Sequence, residues 1–112
     1  MEITKLSDQF SVCGQIQPSD LAQIKKLGFR SVICARPDHE VEDQPLFADI
    51  DNGARQYSLS TQYIPVDPSG ATENNHADFA GALAKLPAPI LGYCRSGQRV
   101  AKLWQARHDQ AA

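Results

Sequence analysis

Cys94-Arg95-Ser96-Gly97-Gln98-Arg99 brings a thiol, a glycine and a guanidinium together within six residues. The apolar run Ile90-Leu91-Gly92-Tyr93 before it has strand character, and Val100, Leu103 and Trp104 after it fall on one face of a helix. At such a strand-to-helix turn the first helical N–H groups lack partners and converge, with the positive end of the helix dipole, on one point where an anion binds. The same N–H groups stabilise a negative sulfur, which makes Cys94 a candidate nucleophile. Arg99 supplies a planar guanidinium able to grip two oxygens of a phosphate or sulfur oxyanion. Gly97 allows close backbone approach or a positive φ. Within the loop the Arg95 and Gln98 amides join the cradle, the Arg95 side chain faces solvent and recruits a charged substrate, and the Ser96 hydroxyl is available to sulfur or oxyanion. An isolated cysteine ending a strand is more often apolar filler, but Gly97 and Arg99 at this spacing favour function.

The rest of the chain must position that loop. Phe10-Ser11-Val12-Cys13 reads as a first strand, and Pro18-Ser19-Asp20 opens a helix with Leu21, Ile24 and Leu27 on one face, closed by Gly28. Ser31-Val32-Ile33-Cys34-Ala35 is a second strand, apolar on both faces as in a covered parallel sheet. The polar stretch 36–45 is a loop rich in breakers, and Pro45 starts a second helix through Leu46, Phe47, Ile50 and Ala54. Gln62–Val66 is a third strand whose proline marks an edge or an end. Thr72 caps a third helix carrying Phe79, Leu83 and Leu86, and the last helix runs to about Arg107. Alternating strands and helices predict a small three-layer α/β domain with about four mostly parallel strands. Ligands in such sheets bind outside the carboxyl ends of the strands, so Cys13, Cys34, Arg36, Asp67 and Cys94 should share one rim.

Composition narrows the partners. At 112 residues the chain is expected to form a single domain over 1–112, burying roughly 65% of its unfolded surface. A net charge of -2 gives no basic field, which argues against nucleic acid and anionic membrane. No segment approaches 20 apolar residues and no signal sequence opens the chain, so a cytoplasmic protein is expected. Three cysteines without a C-x-x-C pair fit a reduced compartment. The scattered His39, His76 and His108 argue against a metal, and neither metal nor organic cofactor is expected. Cys13 and Cys34 read as buried apolar residues; lying near Cys94, either would be able to resolve an oxidised or persulfidated Cys94 by disulfide formation.

Beyond these readings, the phrases Gly14-Gln15-Ile16, Arg36-Pro37-Asp38, Asp43-Gln44-Pro45, Ile64-Pro65-Val66 and Cys94–Arg99 follow one another much as in the phosphatase-like domain of beta-lactamase-hydrolase-like proteins. The chain resembles that bacterial family over nearly its whole length. The resemblance implies a fold like that of the dual-specificity phosphatases, with some relatives described as sulfur transferases. Three features depart from the phosphatase pattern. Four residues separate Cys94 from Arg99, one fewer than usual in cysteine phosphatases and typical of rhodanese loops. Tyr93 stands where histidine usually precedes the cysteine, and Val100 where serine or threonine usually follows the arginine.

The leading expectation is a phosphatase-like hydrolase acting on a small anionic substrate, with Cys94 as nucleophile and Arg99 on the phosphate. A general acid must reach the leaving oxygen from a neighbouring strand end. Asp67, 27 residues before Cys94 on a Pro-flanked turn, is the first choice, and Asp38 the second. Asp67 is equally suited to a simple turn before Pro68. Arg36 is either a second anion contact or the residue that fixes its own loop, with the second role favoured. The alternatives are a rhodanese-type sulfurtransferase carrying a persulfide on Cys94, and a non-catalytic phospho-ligand-binding module, which is disfavoured by the presence of both Cys94 and Arg99.

Overall fold

A computed structural model describes residues 1–111 of the chain. Among them, five strands form one sheet: β1 (Thr4–Lys5), β2 (Phe10–Cys13), β3 (Ser31–Cys34), β4 (Ser60–Tyr63) and β5 (Ile90–Tyr93). The sheet order is β1-β2-β5-β3-β4, with β1 antiparallel to β2 and the other pairs parallel. The helices are α1 (Leu21–Lys26), α2 (Phe47–Gln56), α3 (Glu73–Lys85) and α4 (Gln98–Ala111). None is long and apolar enough to cross a membrane.

Side chains alternate across the sheet as the pleat requires. Phe10, Val12, Ile33, Ala35 and Ile90 pack with Phe79 and Ala82 of α3 and Val100 and Leu103 of α4. On the other face Cys13, Val32, Cys34, Leu91 and Tyr93 meet Leu21 and Ile24 of α1 and Ile50 and Ala54 of α2. The result is the expected three-layer sandwich. Gly92 in β5 has a packing reason. A Cβ there would lie 2.6 Å from Cγ2 of Val100 and 2.8 Å from Cζ of Phe10. Its absence lets α4 settle onto β5, directly behind the Cys94 turn.

Several boundaries differ from the sequence reading. A fifth strand, β1, joins the edge; two residues are too few to carry a period-2 signal. Pro18–Asp20 forms a 3₁₀ turn, and α1 proper begins at Leu21. Leu27, expected on the apolar face, is 52% exposed, because it is the residue at which the helix ends before Gly28 turns at φ 100. The last helix runs on past Arg107 to Ala111. β4 starts at Ser60, earlier than expected, and its pairing continues past Tyr63. The Ile64 N–H donates to the Cys34 carbonyl at 2.8 Å and the Val66 N–H to the Ala35 carbonyl at 3.0 Å. Pro65 falls between them, where no donor is needed.

The four parallel strands end in one row. Cys13 and Cys34 both sit opposite Tyr93, and Cys34 sits opposite Tyr63. Since β5 lies between β2 and β3, the turn after β5 is flanked by the segments that follow both neighbours.

Candidate active site

The turn after β5 is built largely from main chain. Cys94 is fully buried, 0% exposed, at the point where β5 gives way to the loop. The Gly97 N–H donates to its sulfur at 3.1 Å, the contact expected of a cradle that stabilises a negative sulfur. Gly97 has φ 92, and a Cβ on it would press against the Cys13 carbonyl oxygen at 3.2 Å. Both the turn and the neighbouring strand therefore demand glycine. Gly14 plays the reciprocal part: a Cβ there would meet the Arg95 carbonyl at 3.0 Å, and the next residue, Gln15, donates its N–H to that carbonyl at 3.3 Å. The loop is thereby pressed onto the end of β2. Arg95, Ser96 and Gln98 are exposed, as anticipated for the side chain of Arg95. A cleft of about 560 Å³ opens beside them, lined in part by Thr4, Leu6, Gln15, Ser96, Gln98 and Gln105.

The segment after β3 is built from side chains instead. Arg36 is 4% exposed; its Nε donates to Glu40 Oε1 at 2.9 Å and its Nη1 to Gln15 Oε1 at 3.1 Å. That is the structural role favoured from sequence. Asp38 accepts from the first N–H of α2, that of Phe47, at 2.8 Å, while its own N–H donates to the Tyr63 hydroxyl. Gln44 donates to the Pro37 carbonyl at 2.9 Å. His39 takes φ 67, the left-handed region uncommon for a side-chain-bearing residue, and turns the chain so that Glu40 comes back toward the sheet.

Glu40 joins the two regions. Its Oε2 accepts from Arg99 Nη1 at 2.7 Å, and its Oε1 accepts from Arg99 Nη2 at 2.8 Å as well as from Arg36. Arg99 Nη1 also donates to the Val66 carbonyl at 2.8 Å. The Glu40 and Arg99 side chains are each 16% exposed. The hydrogen bonds from Arg99 hold the Glu40 carboxyl down from an ordinary 4.5 to about 2, with Arg36 adding to the effect against desolvation. The same bonds raise Arg99, and the nearby Cys94 and Asp67 add to this. Sequence reading placed Glu40 only as one acid in a polar loop. The available signal was topological, because a loop leaving the carboxyl end of a strand next to β5 must pass the Cys94 turn.

Asp67 lies at the same rim, exposed, with its Oδ1 accepting the Ser69 N–H at 2.9 Å. This Asx-type bond is the main reason its carboxyl sits below its usual range. Cys13 and Cys34 are free thiols packed with Tyr93 on the sheet face opposite the Cys94 cluster. Burial pushes them up to about 12 and about 11 respectively. Their surroundings are those of packing residues.

One sheet between two layers of helices, with a strand–Cys–glycine turn–Arg helix at its carboxyl rim, is a phosphatase-like fold of the dual-specificity type. The chain belongs to the beta-lactamase hydrolase-like protein, phosphatase-like domain family, whose model matches residues 2–111. It is 29% identical over 104 residues to a beta-lactamase hydrolase-like protein of Xylella fastidiosa Temecula1, covering 93% of this chain and 24% of that protein. A protein of the same description from Agrobacterium fabrum is 27% identical over the same shares. The chain thus spans about a quarter of the length of the curated relatives it matches. Among solved structures, a candidate phosphatase of Neisseria meningitidis Z2491 superposes with a TM-score of 0.88 at 33% identity, over 96% of this chain and 77% of that one. The core catalytic domain of the PP-IP phosphatase SIW14 from S. cerevisiae shares the fold at a TM-score of 0.69 and 12% identity, over 90% and 60% of the two chains.

Proposed function

We propose that the domain is a cysteine-dependent hydrolase of small phosphate esters. The Cys94 thiolate attacks phosphorus, a P–S bond forms as the P–O bond to the leaving group breaks, and Asp67 gives the departing oxygen its proton. Water then attacks phosphorus while the Asp67 carboxylate takes its proton, the P–S bond breaks, and phosphate leaves with the thiolate and the Asp67 acid restored. The loop amides and Arg99 hold the phosphoryl oxygens, and Arg95, Ser96, Gly97 and Gln98 shape the mouth through which the anion reaches the buried sulfur. Arg36 acts behind the site. The observation that carries this reading is the Gly97 amide on the Cys94 sulfur at 3.1 Å, five residues ahead of a helix-borne Arg99. Asp67 serves as acid only once released from Ser69, so the two-step reaction includes opening of that turn.

A second reading rests on the loop length. With four residues between Cys94 and Arg99, as in rhodanese loops, Cys94 would take the outer sulfur of thiosulfate as a persulfide and release sulfite. A thiolate acceptor would then attack that sulfur and regenerate Cys94. Purified reduced protein and its Cys94→Ser variant, assayed with an aryl phosphate and separately with thiosulfate plus a thiol, decide the matter. Phosphate release that depends on Cys94 is the expected result; sulfur transfer without phosphate release replaces the first reading by the second. No turnover in either series, with the full biological activity of the protein kept by Cys94→Ser, would leave only an anion-binding module.

A further inference from the structure

We propose that Glu40 is the positioning residue of the anion clamp, fixing the Arg99 guanidinium so that one edge stays open for two oxygens of the bound anion; this rests on Arg99 being that clamp. The argument is an inventory of donors. A guanidinium has five N–H groups in a rigid plane. The bonds to Glu40 Oε2 and to the Val66 carbonyl use both hydrogens of Nη1, and the bond to Glu40 Oε1 uses one of Nη2. The Nε–H and the second Nη2–H remain, and they lie side by side along one edge. Such a pair suits two oxygens of a phosphate or sulfur oxyanion. The carboxylate takes the end of the fork and spares its side.

Charge and connectivity point the same way. Arg36, Glu40 and Arg99 together carry one net positive charge, so the acid offsets one cation without silencing the clamp. Arg36 anchors Glu40 from behind, and Gln15 anchors Arg36. Because Gln15 also donates to the Arg95 carbonyl, these bonds run from one end of the 94–99 loop, through three side chains, to the other end. Glu40 is the link that touches Arg99. Its hydrogen bonds to the 94–99 loop are those to Arg99, so its effect on how an anion is gripped should pass through Arg99.

The test is a double-mutant cycle on the reduced 112-residue chain, with inorganic phosphate as the probe and calorimetric titration as the readout. Arg99→Ala, Glu40→Gln and the pair are compared, with thermal unfolding recorded for each. Glu40→Gln should weaken phosphate binding by about 10- to 100-fold, the scale expected when a clamp is misplaced by about an ångström. In the Arg99→Ala background the same change should cost nothing further, whereas a residue that merely holds the fold together would weaken binding in both backgrounds. If Glu40→Gln does not fold, Glu40→Asp, which keeps the charge and shortens the reach, takes its place in the cycle with the same expectation. Equal losses in both backgrounds overturn the proposal, and so does tighter binding on Glu40→Gln, which would make the carboxylate a competitor for the anion. Phosphate binding unaffected by Arg99→Ala alone would instead bring down the clamp reading itself.

Discussion

The segments after β5 and after β3 lie next to each other at one rim, yet they reach order by opposite means. The 94–97 turn relies on main chain: the Gly97 amide on sulfur, a positive φ, and glycines where two backbones touch. The 36–46 segment relies on side chains, with Arg36, Asp38, Glu40 and Gln44 each tying a backbone or a charge in place. A turn made of backbone keeps its shape without help from any charged side chain. A segment made of ion pairs depends on every charge being present, since one missing partner leaves another buried and unpaired. Substitutions should therefore act differently on the two sides.

The largest effect on stability belongs to the side-chain half. Glu40→Ala leaves the buried Arg36 cation without its partner beside Arg99, and should lower the unfolding free energy by about 3 kcal/mol in urea titrations. The same carboxylate makes stability pH-dependent. Its folded value is depressed to about 2 from 4.5, so its contribution is complete above 4.5 and is lost as the pH falls toward 2. Glu40→Gln should flatten the decline in stability across that window; an unchanged acid profile would break the contrast between the two halves. Next comes Gly97→Ala, which forces a side chain into φ 92 against the Cys13 carbonyl, and should cost about 2 kcal/mol with no dependence on pH. Asp38→Ala removes the acceptor at the start of α2 and should cost about 1 kcal/mol in the same assay. Smallest is Arg95→Ala, exposed in the middle of the turn, expected within about 0.5 kcal/mol of the parent.

The contrast also explains what could be read from the sequence. The 94–99 turn was legible because a strand, a glycine and a helix start fix backbone geometry locally, within a dozen residues. Rim membership of Cys13, Cys34 and Arg36 followed from topology, since parallel strands all end on one side. Glu40 was not legible: its partner Arg99 lies 59 residues away, and nothing in Arg36-Pro37-Asp38-His39-Glu40 distinguishes one acid of the loop from another. Leu27 was misplaced because periodicity cannot tell the last turn of a helix from the residue just beyond it. Asp67 and Asp38 are both reasonable acids by position, and only in the fold does each carboxylate prove to accept a backbone N–H already.

The chain of bonds from Arg95 through Gln15, Arg36 and Glu40 to Arg99 imposes a rule on any redesign of this domain. One residue inserted between Cys94 and Arg99, to match the longer loops of cysteine phosphatases, would change where the guanidinium lies relative to both Cys94 and Glu40. The 36–46 segment would have to be reshaped in the same step. Loop length after one strand and acid placement after another thus work as a single unit, and grafting either one alone into a relative should yield a folded domain with a misdirected guanidinium.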